Sequence, residues 1–344
     1  MIDVPMYRKA EIYMPEFAQN RYESMPYRRS GKAGLKLPAI SLGAWETFGG
    51  YRGEEIAREC LYKAFDLGIT HFDLANNYGR PPGNAEVVVG NILRDMPRDE
   101  LIISTKAGYY MWPGPYGDGL SKKYLVASLD QSLKRMGLEY VDIFYAHRPD
   151  PETPLEETLT ALDLIVRQGK ALYAGVSNFP GALFDQAVVL VRELGLVPLT
   201  IHQPRYSLLA RVPENDLFEH TLAAGTGVIT FSPLAQGLLS NKYLGGLPGD
   251  SRAAVWWDEQ YRNQMVSAGV LDKVRRLNDL AQERGQTLSQ MALAWNLRHP
   301  AVTSVLIGAS KVEQIVENVG ALQNLAFSDQ ELQLIDEITA GPEI

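Results

Sequence analysis

Four ionisable side chains of different types follow or end apolar, strand-like runs in the first half of the chain. Asp73 ends one run, Tyr78 lies in the loop after it, and two later runs end at Lys106 and His147. In a parallel barrel every strand delivers its C-terminal end to the same face, so residues far apart in sequence can converge there. The pattern therefore predicts one site that combines a carboxylate, a phenol, an ammonium and an imidazole.

This combination suits proton delivery to an oxygen that gains negative charge, which is what carbonyl reduction requires. Because a neighbouring ammonium favours the tyrosinate, Lys106 is expected to lower the pKa of Tyr78. Asp73 would supply the counter-charge for the buried ammonium, and His147 would donate a hydrogen bond to the carbonyl oxygen. Each residue also has a structural interpretation, as an ion pair, a packing tyrosine or a satisfied polar histidine. Their convergence on successive strand ends favours the catalytic interpretation.

The elements that must position these residues alternate short β-branched runs with longer amphipathic segments, as repeated βα units do. Apolar residues recur at spacings of three and four in the longer segments, which predicts helices. Predicted strands cover 39–43, 69–73, 101–106, 141–147, 171–176, 199–203, 227–231 and 303–307, and predicted helices include 54–67, 122–136, 155–168, 183–193 and 288–298. Eight strands with intervening helices predict a closed (β/α)8 TIM barrel. The alternative, a doubly wound open sheet, would normally carry G-x-G-x-x-G after its first strand, and the sequence lacks that motif.

Three further segments lie outside this repeat. Residues 27–37 flank a turn-rich stretch and predict an N-terminal β-hairpin that plugs the bottom of the barrel. The stretch 235–269 is long and has no clear period, which predicts a functional loop over cofactor or substrate. Ser328 and Glu331 form a capping-box pattern that predicts an extra C-terminal helix. All of 1–344 is expected to form a single domain.

Composition narrows the classes of function. With 33 Lys and Arg against 41 Asp and Glu, the net charge of -8 gives no overall attraction to phosphate backbones, so a nucleic-acid partner is not expected. Cys60 is the only cysteine, which excludes an intrachain disulfide and fits the reducing cytoplasm. No apolar run suits a signal peptide or a membrane span, so neither secretion nor a membrane partner is expected. The histidines show no H-x-x-x-H pair, and no metal is expected.

Several motifs together resemble the aldo-keto reductase family over nearly the whole chain. Residues 68–79, Gly-Ile-Thr-His-Phe-Asp-Leu-Ala-Asn-Asn-Tyr-Gly, resemble the family's motif around its Asp and Tyr. Ser-Thr-Lys at 104–106 and Ala-His-Arg at 146–148 resemble its Lys and His segments. The resemblance implies a catalytic tetrad of Asp73, Tyr78, Lys106 and His147, in which the tyrosine is the general acid, the lysine and aspartate tune it, and the histidine orients the carbonyl.

Polar groups at the later strand ends suit hydrogen bonding to a carboxamide, although Ser-Asn-Phe-Pro at 177–180 is also an ordinary turn and N-cap. The segment 307–318 opens a helix whose N-terminus favours an anion, and its Ser310 and Glu313 also fit a capping box. The resemblance implies NADPH contacts at Ser177, Asn178, Gln203, Phe231, Ser232, Leu234, Gly237, Lys242, Arg252, Gly308, Ser310, Gln314, Glu317 and Asn318. Within this set, the first three residues would hold the nicotinamide amide and Phe231 would stack on its ring. The basic pair Lys242 and Arg252 implies NADP rather than NAD.

Residues 78–86 and 107–117 resemble the bacterial L-glyceraldehyde 3-phosphate reductases within this family. This likeness implies NADPH-dependent reduction of small phosphorylated or 2-oxo aldehydes, including methylglyoxal, with Trp45, Trp112 and Arg148 as candidate substrate contacts. The alternative is an NADPH-binding regulatory module, because segments 232–237 and 308–318 also resemble potassium-channel β subunits. Family analogy also allows a homo-oligomer.

Overall fold

A computed structural model describes residues 15–50, 53–244 and 258–343. Eight parallel strands close into a barrel, in which each strand pairs with the next one along the chain and the last pairs with the first. A separate antiparallel pair, β1 (Tyr27–Arg29) and β2 (Lys36–Pro38), precedes them. The barrel strands are β3 (Ile40–Gly43), β4 (His71–Asp73), β5 (Ile102–Ala107), β6 (Val141–Ala146), β7 (Ala171–Ser177), β8 (Leu199–Gln203), β9 (Gly227–Thr230) and β10 (Val302–Gly308). This confirms the predicted (β/α)8 TIM barrel, with strand ends that differ from the prediction by two residues at most.

Helices surround the barrel and connect its strands. The α-helices of the described residues are Glu54–Asp66, Asn84–Leu93, Lys122–Met136, Leu155–Arg167, Gly181–Glu193, Val212–Asp216, Phe218–Ala224, Glu259–Met265, Ala268–Glu283, Leu288–Leu297, Val312–Val319 and Asp329–Thr339. Short 3₁₀ turns occupy Arg98–Glu100, Ala235–Gly237, Asn241–Tyr243 and Gly320–Gln323. The last α-helix begins with the predicted reciprocal capping box between Ser328 and Glu331, which satisfies two otherwise unpaired backbone donors. Among the described residues, no helix is both long and apolar enough to cross a membrane.

The N-terminal hairpin closes the bottom of the barrel, as predicted. Leu35 and Leu37 are buried against inward-facing side chains of several barrel strands. At the turn, the Lys32 amide donates to the Gly225 carbonyl at 2.9 Å. Gly31 lies beside this contact with φ of +52°, and a Cβ on it would stand 2.1 Å from the Gly225 oxygen. Only glycine therefore allows the turn to approach the barrel so closely.

The segment after β9 differs from the prediction. Residues 235–269 are not one aperiodic loop, because they include two 3₁₀ turns, the helix Glu259–Met265 and the start of the helix Ala268–Glu283. Short helices of one or two turns offer too few repeats for an apolar period to be recognised in the sequence. Residues 245–257 lie outside the described residues, so closure of this segment over a ligand stays a prediction.

Candidate active site

The C-terminal ends of β4, β5 and β6 bring the four predicted catalytic side chains to one face of the barrel. Asp73 is the last residue of β4, Lys106 is the penultimate residue of β5, and His147 follows β6. Tyr78 lies in the connection between β4 and the helix Asn84–Leu93. The parallel register places Asp73 opposite Ser104 of the adjacent strand. Lys106 is two residues beyond Ser104, on the same face of that strand.

A buried ion pair lies at the centre of this site. Lys106 Nζ lies 2.5 Å from Asp73 Oδ2 and 2.8 Å from the Leu74 carbonyl oxygen, and both charged side chains are fully buried. The same ammonium lies 3.5 Å from the Tyr78 hydroxyl. The remaining Asp73 oxygen, Oδ1, accepts hydrogen bonds from Ser104 Oγ at 2.6 Å and Gln203 Nε2 at 3.3 Å. The predicted contacts among aspartate, lysine and tyrosine are therefore present.

The direction of the Tyr78 pKa shift corrects the prediction. Burial and the negative charge of Asp73 raise the pKa of Tyr78 well above its usual value, rather than Lys106 lowering it. Asp73 neutralises the lysine, so the tyrosine sees a paired ammonium and a nearby carboxylate. Burial also lowers the pKa of Lys106, and Asp73 opposes that shift. A tyrosine of ordinary pKa is already protonated at neutral pH, so the upward shift leaves the Tyr78 hydroxyl protonated and makes it a weaker acid.

His147 is buried beside Tyr78. Their rings meet edge to face with centroids 5.8 Å apart, and Tyr109 makes a similar contact with the imidazole at 4.7 Å. Its Nδ1 atom is buried and has no hydrogen-bond partner among the described residues. Burial, followed by the positive charges of Lys106 and Arg148, lowers the pKa of His147 well below its usual value. A buried histidine with a purely structural role would have its polar atoms hydrogen-bonded. The unpaired Nδ1 of His147 therefore does not fit the structural interpretation.

A buried polar chain behind Asp73 was not predicted from the sequence. His71 Nε2 lies 2.9 Å from Ser104 Oγ, and its Nδ1 lies 2.9 Å from Ser41 Oγ, which in turn lies 2.7 Å from Ser304 Oγ. All four side chains are fully buried. The alternation of side chains along a strand could have predicted this chain of contacts. His71 is two residues before Asp73, and Ser104 is two residues before Lys106, so each pair lies on one face of its strand.

The groups predicted to hold a carboxamide cluster at the ends of β7 and β8. Ser177 Oγ donates to the Gln203 carbonyl at 2.8 Å, and Asn178 Nδ2 donates to the His147 carbonyl at 3.2 Å. Asn178 has φ of +60°, a backbone conformation that is costly outside glycine and clusters at functional sites. The following helix has Pro180 as its N-cap, so neither Ser177 nor Asn178 serves as a helix cap. This excludes the capping alternative for the pair.

The loop after β9 contains the next predicted cofactor residues. Phe231 follows β9 directly and is half-buried, as are Ser232, Leu234 and Gly237. Ser232, Ala235 and Gln236 all have positive φ, so this short loop holds three non-glycine residues in a conformation that L-residues rarely adopt. Lys242 is exposed just beyond it. Arg252, its predicted partner, lies outside the described residues.

The segment after β10 excludes the capping alternative for Ser310 and Glu313. Ser310 and Glu313 do not form a capping box, because Lys311 is the N-cap of the helix Val312–Val319 and makes no side-chain cap. Instead, the Ser310 amide and hydroxyl converge on Gln314 Oε1, at 2.8 and 3.3 Å. Two donors aimed at one oxygen beside a helix N-terminus suit an anionic oxygen as well. The other predicted residues here are Gly308 and Glu317, which are exposed, and Asn318, which is buried.

The three predicted substrate contacts have different surroundings. Trp45 follows β3 and is 42% exposed. Trp112 is half-buried and packs on Tyr124 with ring centroids 5.3 Å apart, which gives it a packing role. Arg148 donates to the Gly108 carbonyl at 2.7 Å and pairs with Asp118 at 2.9 Å.

Within the described ranges, no group of three or more His, Cys, Asp or Glu side chains could hold a metal ion.

Comparison with known proteins agrees with the geometry. The model of the Aldo/keto reductase family matches residues 39–340. The chain is 56% identical to the L-glyceraldehyde 3-phosphate reductase of Escherichia coli (strain K12), over 94% of this chain and 95% of that protein. It is 38% identical to the protein of Oryza sativa subsp. japonica named "Probable voltage-gated potassium channel subunit beta", over 92% of this chain and 96% of that protein. A similarly named protein of Schizosaccharomyces pombe (strain 972 / ATCC 24843) is 39% identical over 92% of this chain and 94% of its own length.

Proposed function

Because the chain belongs to the aldo/keto reductase family, we propose that it is an NADPH-dependent reductase that converts small aldehydes to alcohols. The observation that carries the proposal is the buried Asp73–Lys106 pair with the Tyr78 hydroxyl 3.5 Å from the ammonium. Structural ion pairs are common, but this one lies against a protonated phenol at the C-terminal face of a TIM barrel, where such enzymes have their active sites. The arrangement favours proton transfer to a substrate oxygen.

The polar groups of the later strand ends fit a dinucleotide. Ser177, Asn178 and Gln203 would hold the carboxamide of the nicotinamide, and Phe231 would lie against its ring. The paired donors of Ser310 suit a phosphate oxygen. When bound, the nicotinamide supplies the hydride, which is the cofactor's own chemistry. By the family resemblance, the basic residues Lys242 and Arg252 would meet the 2′-phosphate and so favour NADP over NAD.

Tyr78 is the proton donor in this proposal. Its raised pKa keeps the hydroxyl protonated until the substrate oxygen becomes more basic than the phenol, as negative charge develops there. The tyrosinate that remains lies 3.5 Å from the Lys106 ammonium, which stabilises it by charge. The neutral imidazole of His147 would donate a hydrogen bond to the same substrate oxygen and orient it. Asp73 keeps the ammonium in place through the 2.5 Å contact.

The substrate class follows from the relative's name and the mouth of the site. The E. coli relative is named for reduction of L-glyceraldehyde 3-phosphate, and we extend that substrate to this chain together with methylglyoxal. Arg148 follows His147 in the sequence, and its charge is already partly neutralised by Asp118. A phosphorylated substrate would have to compete with that carboxylate, whereas methylglyoxal would not.

The test follows NADPH absorbance on addition of D,L-glyceraldehyde 3-phosphate or methylglyoxal, with NADH in parallel. Wild-type protein is expected to turn over with NADPH, and Tyr78→Phe is expected to lose turnover while NADPH binding, followed by its fluorescence, is unchanged. Tyr140→Phe is the matched control, because this residue precedes β6 at the opposite end of the barrel. Loss of both binding and turnover in Tyr78→Phe would contradict the assigned role.

A second candidate function is an NADPH-binding regulatory subunit, favoured by the 38% identity to the rice protein named as a channel β subunit. The same assay separates the two functions. Tight NADPH binding by wild-type protein without reduction of any aldehyde would favour the regulatory function, and a pull-down that recovers a membrane protein in stoichiometric amount would support it.

A further inference from the structure

A fully buried histidine lies behind the proposed catalytic aspartate, and the proposed mechanism does not use it. His71 is inside the barrel on β4, between Ser104 of β5 and Ser41 of β3. Ser104 is also the residue whose hydroxyl donates to Asp73 Oδ1 at 2.6 Å. An unbroken series of contacts of 2.6 to 2.9 Å therefore leads from the imidazole to the carboxylate that holds Lys106.

The chemistry of these groups fixes which atom donates and which accepts in each hydrogen bond of this series. A carboxylate only accepts hydrogen bonds, so the single Ser104 hydroxyl proton must point to Asp73, and Ser104 Oγ must accept from His71. His71 Nε2 therefore carries a proton. Burial lowers the pKa of His71 to about 4, so the ring is neutral near pH 7 and its Nδ1 accepts from Ser41. Ser41 in turn accepts from Ser304, at 2.7 Å.

We propose that His71 is a positioning residue for the reductase reaction, because its Nε2–H tautomer orients the Ser104 hydroxyl, which fixes the Asp73 carboxylate against Lys106. The proposal rests on the proposed function given above. Aligned hydrogen bonds polarise one another inside a protein, so each donor in the series strengthens the next. The last donor meets Asp73 Oδ1, and the other carboxylate oxygen is then free to face the ammonium.

Ser104 makes the shortest hydrogen bond on Asp73 Oδ1, at 2.6 Å, while Lys106 contacts the other carboxylate oxygen. Among the described residues, the other hydrogen bond on Asp73 Oδ1 comes from Gln203, at the longer distance of 3.3 Å, and Gln203 is also a proposed carboxamide contact. The terminal torsion of an aspartate is broad and roughly two-fold. Without Ser104 the carboxylate plane can rotate, and Lys106 Nζ then moves relative to the Tyr78 hydroxyl. The expected loss is in the rate of the chemical step rather than in cofactor binding.

The chain offers a matched control histidine. His202 on β8 is fully buried, and burial likewise lowers its pKa to about 4. Its Nε2 contacts the Phe179 carbonyl at 3.0 Å, and within the described part of the chain no hydrogen bond joins its imidazole to Asp73. Substitution of His202 therefore tests the cost of altering a buried imidazole without altering the catalytic aspartate.

The first experiment measures kcat and KM for NADPH-dependent reduction by the full chain. His71→Leu and Ser104→Ala are each expected to lower kcat by roughly 10- to 100-fold, because misplacing a catalytic group by about 1 Å can cost about 100-fold in rate, with the Kd for NADPH unchanged. The double variant is expected to be no worse than the worse single one, since both interrupt the same series. His71→Gln is expected to restore most of the rate, because a glutamine amide nitrogen is as many bonds from Cβ as Nε2 and can donate to Ser104. His202→Gln is expected to keep wild-type kcat.

The second experiment does not depend on activity. Imidazole ¹⁵N NMR of histidine-labelled protein, assigned by the signal lost in His71→Gln, is expected to show a neutral Nε2–H tautomer near pH 7. An Nδ1–H tautomer or an imidazolium would overturn the proposed direction. An active wild type with unchanged kcat in Ser104→Ala, or equal kcat in His71→Leu and His71→Gln, would overturn the positioning role alone. A wild type without turnover would instead overturn the proposed function and the role of His71 in it.

Discussion

Removal of the Lys106 ammonium tests the central ion pair directly. Lys106→Met keeps most of the side-chain volume but leaves Asp73, which is fully buried, without its counter-charge. Breaking a buried pair by removing one partner costs about 3–5 kcal/mol, because an uncompensated charge stays in the interior. With roughly 2 cal/mol/K of unfolding entropy per residue, the 344 residues give about 0.7 kcal/mol/K. The expected fall in Tm is therefore about 4–7 °C.

Thermal unfolding followed by circular dichroism at pH 7 measures this change, with three further variants: Lys170→Met, Asp73→Asn and the double variant Lys106→Met with Asp73→Asn. Lys170→Met removes the ammonium of an exposed pair with Asp130, at 2.7 Å, and should cost less than about 1 kcal/mol. Its Tm should fall by about 1 °C or less. In the double variant with Asp73→Asn the buried charge is gone as well, so its Tm should lie above that of Lys106→Met.

Two results would refute the reasoning. If Lys106→Met and Lys170→Met lowered the Tm equally, burial would not govern the cost of breaking the pair. If the double variant lost as much stability as Lys106→Met and Asp73→Asn added together, Asp73 and Lys106 would be acting independently. Either result would remove the basis for treating the pair as one unit with Tyr78.

Three other predictions concern the buried imidazoles and the barrel floor. Burial lowers the pKa values of His71 and His202 to about 4, whereas an unfolded histidine has a pKa of about 6.5. The unfolded chain therefore binds more protons between these limits, and the Tm should fall as the pH drops from 6.5 to 4. His202→Gln should make this fall shallower, and an equal slope in wild type and variant would contradict the assignment. Gly31→Ala should lower the Tm by several degrees without changing kcat, because alanine cannot approach the barrel floor at positive φ; an unchanged melting curve would count against the close contact. Leu37→Ala should cost about 2–5 kcal/mol, whereas Leu172→Ala, at a side chain 48% exposed, should melt within about 1 °C of wild type, and similar losses at the two sites would contradict burial as the cause.

Periodicity was sufficient to predict the barrel. β-branched runs separated by amphipathic segments specify repeated βα units, and the absence of a G-x-G-x-x-G turn favoured closure over an open sheet. The structure confirms eight parallel strands in a closed order. The hairpin was predicted by its turn residues, and the structure shows Leu35 and Leu37 buried where it meets the barrel strands. These features depend on local patterns that the sequence displays directly.

The segments with weak local patterns were predicted less well. The helix Glu259–Met265 has seven residues, too few for its apolar period to emerge from the stretch 235–269. At Ser310 the capping-box spacing was present, but Lys311 became the N-cap and Gln314 accepted the serine donors instead. A capping-box motif marks the start of a helix only where tertiary contacts allow the helix to begin at that residue. The spacing of the residues in the sequence does not reveal those contacts.

The sequence by itself determined which strand ends present Asp73, Lys106 and His147, because strand order and the position of each residue in its strand are local properties. Only the tertiary structure decided how these groups affect one another. The reversal of the Tyr78 pKa shift depends on how deeply the phenol is buried and on the carboxylate that neutralises Lys106. The series from His71 to Asp73 depends on the register of neighbouring strands. Electrostatic and hydrogen-bond energies vary with distance and burial, and the barrel sets both only when it closes.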